Sequence, residues 1–127
     1  MITDQLAACH RPGYDFGRGR PVEPAAVAEW CERARDAGVR SILCLLAGEQ
    51  LDLYRELPGG LLGYYRACGF QVGHVPVEDH RQPPLTPDQL DAVWCVFKEL
   101  VKPVLVHCSA GVDRTGYAVS DIGKRSV

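Results

Sequence analysis

Residues 107–116 (HCSAGVDRTG) are the segment of this sequence with the most distinctive chemistry. Five residues separate Cys108 from Arg114, a spacing that alone occurs readily by chance in a chain of this composition. His107 before the cysteine, Gly111 three positions after it and Thr-Gly after the arginine make the extended pattern rare. The segment follows a short apolar run and precedes an expected helix, so it predicts a specialised loop between a strand and a helix.

A loop of this kind is suited to binding a tetrahedral anion. Where a chain leaves a strand and enters a helix, successive backbone N–H groups can turn inward and form a positive nest. Gly111 permits the tight curvature, and the planar fork of Arg114 can hold two oxygens at once. The segment therefore predicts a phosphate site. Its backbone ligands would come from Ser109, Ala110, Gly111, Val112 and Asp113.

Cys108 is the expected nucleophile of this site. The same N–H groups and the guanidinium favour its thiolate form, which can attack phosphorus at neutral pH. Two neighbours have supporting roles as hypotheses. Thr115 would donate a hydrogen bond to the sulfur as it leaves, and His107 would hold the loop through backbone contacts.

A thiolate that attacks a phosphoester needs an acid for the departing oxygen and a base for the water that clears the phosphocysteine. One carboxylate can serve in both steps. Our candidate is Asp79, on a proline-flanked loop (residues 75–85, VPVEDHRQPPL) upstream of Cys108. Glu78 beside it and Asp113 within the phosphate loop remain alternatives.

Hydrophobic spacing predicts the elements that must position these residues. Apolar side chains at helical spacing predict helices, and short unbroken apolar runs predict strands buried on both faces. A capping box that begins at Thr86 marks the start of the clearest helix. The expected order is helix 24–37, strand 40–46, helix 61–68, strand 70–77, helix 87–101 and strand 104–107, then about two turns of helix before Gly123. This alternation predicts a three-layer α/β fold with a mostly parallel central sheet and flanking helices.

Composition limits the class of protein. The chain has 127 residues, which suits one domain, and 16 acidic against 14 basic side chains leave no strongly basic surface for nucleic acid. No run approaches the roughly 20 apolar residues of a membrane span, and residues 1–10 do not resemble a secretion signal. We therefore expect one cytoplasmic domain over residues 1–127 that binds no nucleic acid and has no membrane span.

The six cysteines indicate neither a disulfide framework nor a metal site. The sequence contains no C-x-x-C pair, and the expected compartment is reducing. No metal ligand set is predicted. Cysteines other than Cys108 are expected to be buried apolar side chains: Cys9, Cys31, Cys44, Cys68 and Cys95.

The two loops resemble those of the cysteine-dependent protein tyrosine phosphatase superfamily, in its small dual-specificity branch. HCSAGVDRTG is similar to the phosphate-binding signature, with Cys108 as nucleophile and Arg114 as phosphate ligand. PVEDHRQPP is similar to the acid loop of the phosphatase-and-tensin type, with Asp79 as general acid. The resemblance implies hydrolysis of phosphomonoesters in phosphorylated proteins or peptides, through a phosphocysteine and without a metal or other cofactor.

Two departures from the family keep alternatives open. The tensin-type lipid enzymes carry lysines where this sequence has Ser109 and Val112, yet Asp113 resembles the acid of myotubularin-like phosphatases, so a phosphoinositide phosphatase is one alternative. The family continues past the signature with further helices, whereas this sequence has only residues 117–127 (YAVSDIGKRSV). Missing C-terminal helices would expose apolar surface, so we expect self-association or marginal stability. A catalytically weak, phosphate-binding pseudophosphatase is the other alternative.

Overall fold

The computed structural model describes residues 5–14 and 21–126. Its strands are β1 (Leu6–Cys9), β2 (Ser41–Cys44), β3 (Gln71–His74) and β4 (Val104–His107). Its helices are α1 (Pro24–Asp36), α2 (Gly48–Leu51), α3 (Gly60–Ala67), α4 (Pro87–Glu99) and α5 (Asp113–Arg125), with a 3₁₀ turn at Asp52–Tyr54. The four strands form one parallel sheet in the order β1-β4-β2-β3. The predicted α/β class with a parallel central sheet is confirmed.

The register of the sheet brings three strand ends to one place. Cys9 at the end of β1 and Cys44 at the end of β2 are both paired with His107 at the end of β4. Because parallel strands share the edge at which their carboxyl ends lie, the loops that follow all three strands meet there. Cys108 is the first residue beyond β4 and therefore lies at the centre of that edge.

Helices cover both faces of the sheet and make the three layers. β2 shows the division, because Ile42 belongs to the core on one face and Leu43 to the core on the other, as the alternation of side chains along a strand requires. The first core includes α1 and α3 through Val27, Trp30, Leu61 and Tyr65. The second includes α4 and α5 through Val93, Phe97, Val119 and Ile122.

The capping box that begins at Thr86 is formed as the sequence predicts. Thr86 Oγ1 accepts from the backbone N–H of Gln89 at 3.1 Å, and Gln89 Oε1 accepts from the backbone N–H of Thr86 at 2.9 Å. These two bonds satisfy donors at the start of a helix that have no partner within it. Helix α4 therefore begins directly after the proline-rich acid loop.

The structure differs from the predicted elements in three places. The sequence predicts neither β1, whose central residues Ala7 and Ala8 are too small to give a strand pattern, nor α2. It predicts about two turns of helix before Gly123, whereas α5 runs through that glycine to Arg125. Burial of Val119 and Ile122 against the sheet outweighs the low helix propensity of glycine here.

The expected burial of five cysteines is correct for only part of the set. Cys31 and Cys44 are buried, Cys9 and Cys68 are half-buried, and Cys95 is exposed. Cys95 lies on α4 between Val93 and Phe97, which point into the core, so the 100° step per residue turns it toward solvent.

Candidate active site

The loop from Cys108 to Val112 joins β4 to α5, the position at which the sequence predicts a phosphate site. Gly111 has a φ of 78°, and a Cβ built on it would lie 2.6 Å from the backbone carbon and oxygen of Cys9. No L side chain fits that space or favours that φ, so glycine allows the loop to curve tightly against the end of β1.

The predicted phosphate loop lines a cavity of about 150 Å³. Cys108, only 2% exposed, is at its wall, together with Arg114 and Asp79. Of the predicted backbone ligands, four also line the cavity: Ser109, Ala110, Val112 and Asp113. Gly111 is not among the lining residues, since it packs toward Cys9. His80 and Tyr14 complete the wall.

Arg114 is 2% exposed, and two hydrogen bonds from one nitrogen fix the position of its guanidinium. Its Nη1 donates to Gln50 Oε1 at 2.8 Å and to the Val77 carbonyl at 2.7 Å. Its Nε and Nη2 are buried and have no hydrogen-bond partner within the described part of the chain. Nε and Nη2 form the edge of the guanidinium that binds two oxygens side by side, and Arg114 lines the cavity. The site therefore holds an oriented donor pair for an oxyanion.

Asp79 lies next to this donor pair. Its Oδ2 is 3.3 Å from Arg114 Nη2, and its Oδ1 accepts from the backbone N–H of His80 at 3.0 Å. His80 has a φ of 61°, the left-handed conformation that turns the chain sharply after Asp79. The carboxylate is thereby directed toward the cavity that Cys108 lines. Glu78 instead pairs with Arg81 on the exposed side of the loop.

Asp113 also lines the cavity, at the first position of α5. Asp79 and Asp113 both line a second, adjoining cavity of about 220 Å³ with Arg81 and Gln82. The structure thus brings both candidate acids to the site, and of these two carboxylates the one on Asp79 forms an ion pair with the Arg114 guanidinium.

His107 is completely buried and contacts the loop backbone, as the sequence analysis anticipates. Its Nδ1 lies 3.0 Å from the Cys108 carbonyl, and its Nε2 lies 2.8 Å from the Tyr65 hydroxyl. Burial lowers the pKa of His107 to about 4. The ring is therefore neutral at physiological pH, with a proton on Nδ1 for the carbonyl acceptor.

Thr115 is fully buried at the start of α5. Its Oγ1 has no hydrogen-bond partner among the described residues, so the bond to the sulfur that the sequence analysis expects is not formed here.

Sequence reasoning missed three residues that support the loop: Arg11, Gln50 and Tyr65. Arg11 donates from Nε to Ser109 Oγ at 3.2 Å, and Gln50 and Tyr65 contact Arg114 and His107 as described above. No motif marks any of them. Gln50 follows the predicted strand 40–46, so the rule that sites lie beyond the carboxyl ends of strands points to its loop. Arg11 follows β1, which the sequence does not predict.

Two further findings concern metal ions and membranes. Among the residues that the structure describes, no group of three or more His, Cys, Asp or Glu side chains is arranged to hold a metal ion. No helix in the described ranges has both the length and the apolar character that crossing a membrane requires.

Comparison with known proteins gives one family and several similar folds. The profile of the family Tc-R-P, described as "Polymorphic toxin system, DSP-PTPase phosphatase", matches residues 16–122. No protein of curated function matches the sequence. A solved structure of kinase associated phosphatase, with its catalytic-site cysteine replaced by serine, is 20% identical with a TM-score of 0.69. The match covers 92% of this chain and 63% of that one, so this chain spans less than two thirds of its length.

Two other solved structures are similar. Tk-PTP in its active form is 28% identical with a TM-score of 0.61, over 91% of this chain and 74% of that one. A DUF442 protein from Shewanella putrefaciens CN-32 is 19% identical with a TM-score of 0.67, over 96% and 68% of the two chains. These likenesses confirm the dual-specificity-phosphatase-like fold class.

Proposed function

Because this chain belongs to the family of DSP-PTPase phosphatases of polymorphic toxin systems, we propose that it hydrolyses phosphomonoesters through a phosphocysteine on Cys108. The family match confirms the resemblance to cysteine-dependent phosphatases of the dual-specificity type, and it favours neither a phosphoinositide phosphatase nor a pseudophosphatase. One observation carries the proposed reaction. Cys108, Arg114 and the carboxylate of Asp79 line one cavity of about 150 Å³. Nε and Nη2 of Arg114 have no hydrogen-bond partner among the described residues, and Nη2 lies 3.3 Å from Asp79 Oδ2.

In the first step, the Cys108 thiolate attacks phosphorus and the bond from phosphorus to the ester oxygen breaks. Arg114 binds two of the non-bridging oxygens through Nε and Nη2, and the N–H groups of the loop bind them as well. A bound phosphate would replace Asp79 as the partner of Arg114 Nη2, which in this structure lies 3.3 Å from Asp79 Oδ2. Asp79 in its protonated form then gives its proton to the departing oxygen.

In the second step, a water molecule attacks the phosphocysteine. Asp79, now a carboxylate, accepts a proton from that water, and the sulfur leaves as thiolate. Inorganic phosphate is released and Cys108 returns to its starting state. The balance of the two steps needs neither metal nor redox cofactor.

Phosphotyrosine in proteins or peptides is the proposed substrate, with phosphoserine and phosphothreonine as further substrates. The ring of Tyr14 in the cavity wall favours an aryl ester, because two aromatic rings pack well against each other. This preference for phosphotyrosine is tested by comparing kcat/KM for phosphotyrosine and phosphoserine peptides of otherwise identical sequence, and we expect the higher value for phosphotyrosine.

The family description names polymorphic toxin systems, so we place the activity in such a system and in the cytoplasm of the cell in which it acts. A reducing compartment keeps the Cys108 thiol available. Expression of the wild type in a bacterial host would then slow growth, and expression of Cys108→Ser would not.

The primary experiment is hydrolysis of phenyl phosphate in the presence of chelator and reductant. We expect turnover by the wild type, a loss of at least about 10³-fold in Cys108→Ser and a loss of about 10²-fold in Asp79→Asn. Asp36→Asn, at the exposed end of α1, is the matched control and keeps wild-type activity.

Circular dichroism of each variant separates a chemical defect from unfolding. A folded wild type with no turnover would overturn the proposal. Loss of activity in Asp113→Asn with normal activity in Asp79→Asn would transfer the role of acid to Asp113.

A further inference from the structure

Arg11 is a buried cation beside the phosphate loop that the reaction described above does not use. It is 4% exposed and lies two residues beyond β1. Among residues 5–14 and 21–126, no carboxylate forms an ion pair with it. A guanidinium removed from water without an anion is unfavourable unless something at the site makes use of its charge.

Arg11 donates two hydrogen bonds to Ser109. Its backbone N–H donates to the Ser109 carbonyl at 2.9 Å, and its Nε donates to Ser109 Oγ at 3.2 Å. The carbonyl of Ser109 and the N–H of Ala110 belong to one trans peptide and point in opposite directions. The N–H of Ala110 therefore points away from Arg11, and Ala110 lines the cavity.

Arg11 is itself held in place by aromatic residues. Its Nη1 donates to the Tyr54 hydroxyl at 3.2 Å, and that hydroxyl donates to the Pro12 carbonyl at 2.6 Å. Its guanidinium carbon lies 5.6 Å from the ring centre of Tyr14 and 6.0 Å from that of Tyr54, within the range of a cation–π contact. The side chain thus has one well-defined position, from which it acts on Ser109.

We propose that Arg11 is a positioning residue of the phosphate loop, which fixes the Ser109–Ala110 peptide as an oxyanion donor and supplies a second buried positive charge. This inference rests on the proposed phosphatase function. Other charged or titratable groups near Cys108 are Arg114, Asp79, His80, Asp113, Tyr14, His107 and Cys44. Arg11 adds its charge at Ser109, at the beginning of the loop, whereas Arg114 lies in the first turn of α5.

Two variants separate the charge of Arg11 from its hydrogen bonds. Arg11→Met removes the charge and the side-chain hydrogen bonds but keeps the backbone bond to the Ser109 carbonyl, whereas Arg11→Lys keeps the charge and loses the planar fork. Arg33→Met is the matched control, because the Arg33 side chain is 76% exposed and pairs only with Glu29. The first readout is kcat and KM on an aryl phosphate. The second is the pH dependence of Cys108 alkylation by iodoacetamide, followed by mass spectrometry with the exposed Cys95 as internal reference.

We expect kcat/KM to fall about 10-fold to 100-fold in Arg11→Met and to be unchanged in Arg33→Met. The pH profile of Cys108 alkylation should move to higher pH in Arg11→Met and return to the wild-type profile in Arg11→Lys. Arg11→Lys should recover only part of kcat/KM. Inhibition by inorganic phosphate should weaken by about the same factor as kcat/KM in Arg11→Met.

A folded Arg11→Met variant with wild-type kcat/KM and alkylation profile would overturn the inference and leave the phosphatase function intact. No turnover by the wild type would overturn the phosphatase function first, and this inference with it. If Arg11→Met does not fold, Ser109→Ala removes only the Oγ acceptor and should lower kcat/KM about threefold. An unchanged kcat/KM in Ser109→Ala together with wild-type kinetics in Arg11→Lys would also overturn the inference.

Discussion

The hydroxyl of Tyr65 donates a hydrogen bond of 2.8 Å to Nε2 of His107, across two buried side chains that lie 42 residues apart in the sequence. The other ring nitrogen of His107 donates to the Cys108 carbonyl at 3.0 Å. Both nitrogens of the neutral ring thereby form hydrogen bonds, and the ring connects the core under α3 to Cys108, the proposed nucleophile. A proton added to Nε2 would have to displace the Tyr65 hydrogen bond.

Acid should destabilise the fold through His107. Burial lowers its pKa to about 4, below the usual 6.5, so the unfolded chain binds the proton more tightly. The contribution of neutral His107 to the free energy of unfolding is fully present above about pH 6.5 and is lost as the pH falls toward 4. The loss is about 2 kcal/mol at pH 5. Urea unfolding at pH 7.5 and pH 5 measures it, and His107→Asn should show a correspondingly flatter pH dependence.

Tyr65→Phe is the control for this prediction. It removes one hydrogen bond, at a cost of about 1 kcal/mol, and should retain the pH dependence because His107 stays buried. The same pH dependence in the wild type and in His107→Asn would contradict the assignment to His107.

Gly111→Ala should abolish the phosphate site. Its φ of 78° disfavours an L side chain, and the new Cβ would lie 2.6 Å from the backbone of Cys9. We expect kcat/KM to fall by at least about 10²-fold, measured with an aryl phosphate. Gly123→Ala is a matched change in α5 with nothing within 4 Å, and it should keep activity and stabilise the protein by about 0.5–1 kcal/mol. Wild-type kinetics in Gly111→Ala would contradict this prediction, because they would show that the loop can move away from Cys9 without loss of activity.

The dependence on the leaving group should identify the acid. A poor leaving group depends more strongly on protonation by the acid. Asp79→Asn should therefore lower the single-turnover rate by about 10²-fold for phenyl phosphate and by only a few-fold for p-nitrophenyl phosphate. Asp113→Asn should lower both rates equally and slightly. The comparison uses single-turnover rates, so that breakdown of the phosphocysteine does not hide the first step. An equal loss on both substrates in Asp79→Asn would argue against proton donation by Asp79.

Thr86→Ala should lower stability and leave chemistry unchanged. The variant loses the acceptor for the backbone N–H of Gln89 and with it half of the capping box, at a cost of about 1 kcal/mol. Thermal unfolding measures the loss, and Thr86→Ser should restore most of it. A large fall in kcat in Thr86→Ala would instead mean that the start of α4 controls the acid loop.

Much of the architecture follows from local sequence. Strand β4 was predicted at its observed residues, because four consecutive apolar or buried positions after a proline leave few alternatives. Helix α4 was predicted at its first residue because the capping box is a local structure of four residues. Helix α5 was predicted too short, because the apolar face that stabilises it is satisfied only by the sheet.

The sequence by itself predicts the chemistry proposed for residues 107–116, because a loop that binds phosphate requires particular residue types at fixed spacing. Only the tertiary structure decided what holds that loop. Arg11 and Ser109 are 98 residues apart, and Arg114 and Gln50 are 64 apart. Such contacts have no local pattern. They exist because a parallel sheet in the order β1-β4-β2-β3 brings the ends of distant strands to one edge, and that order depends on packing over the whole chain.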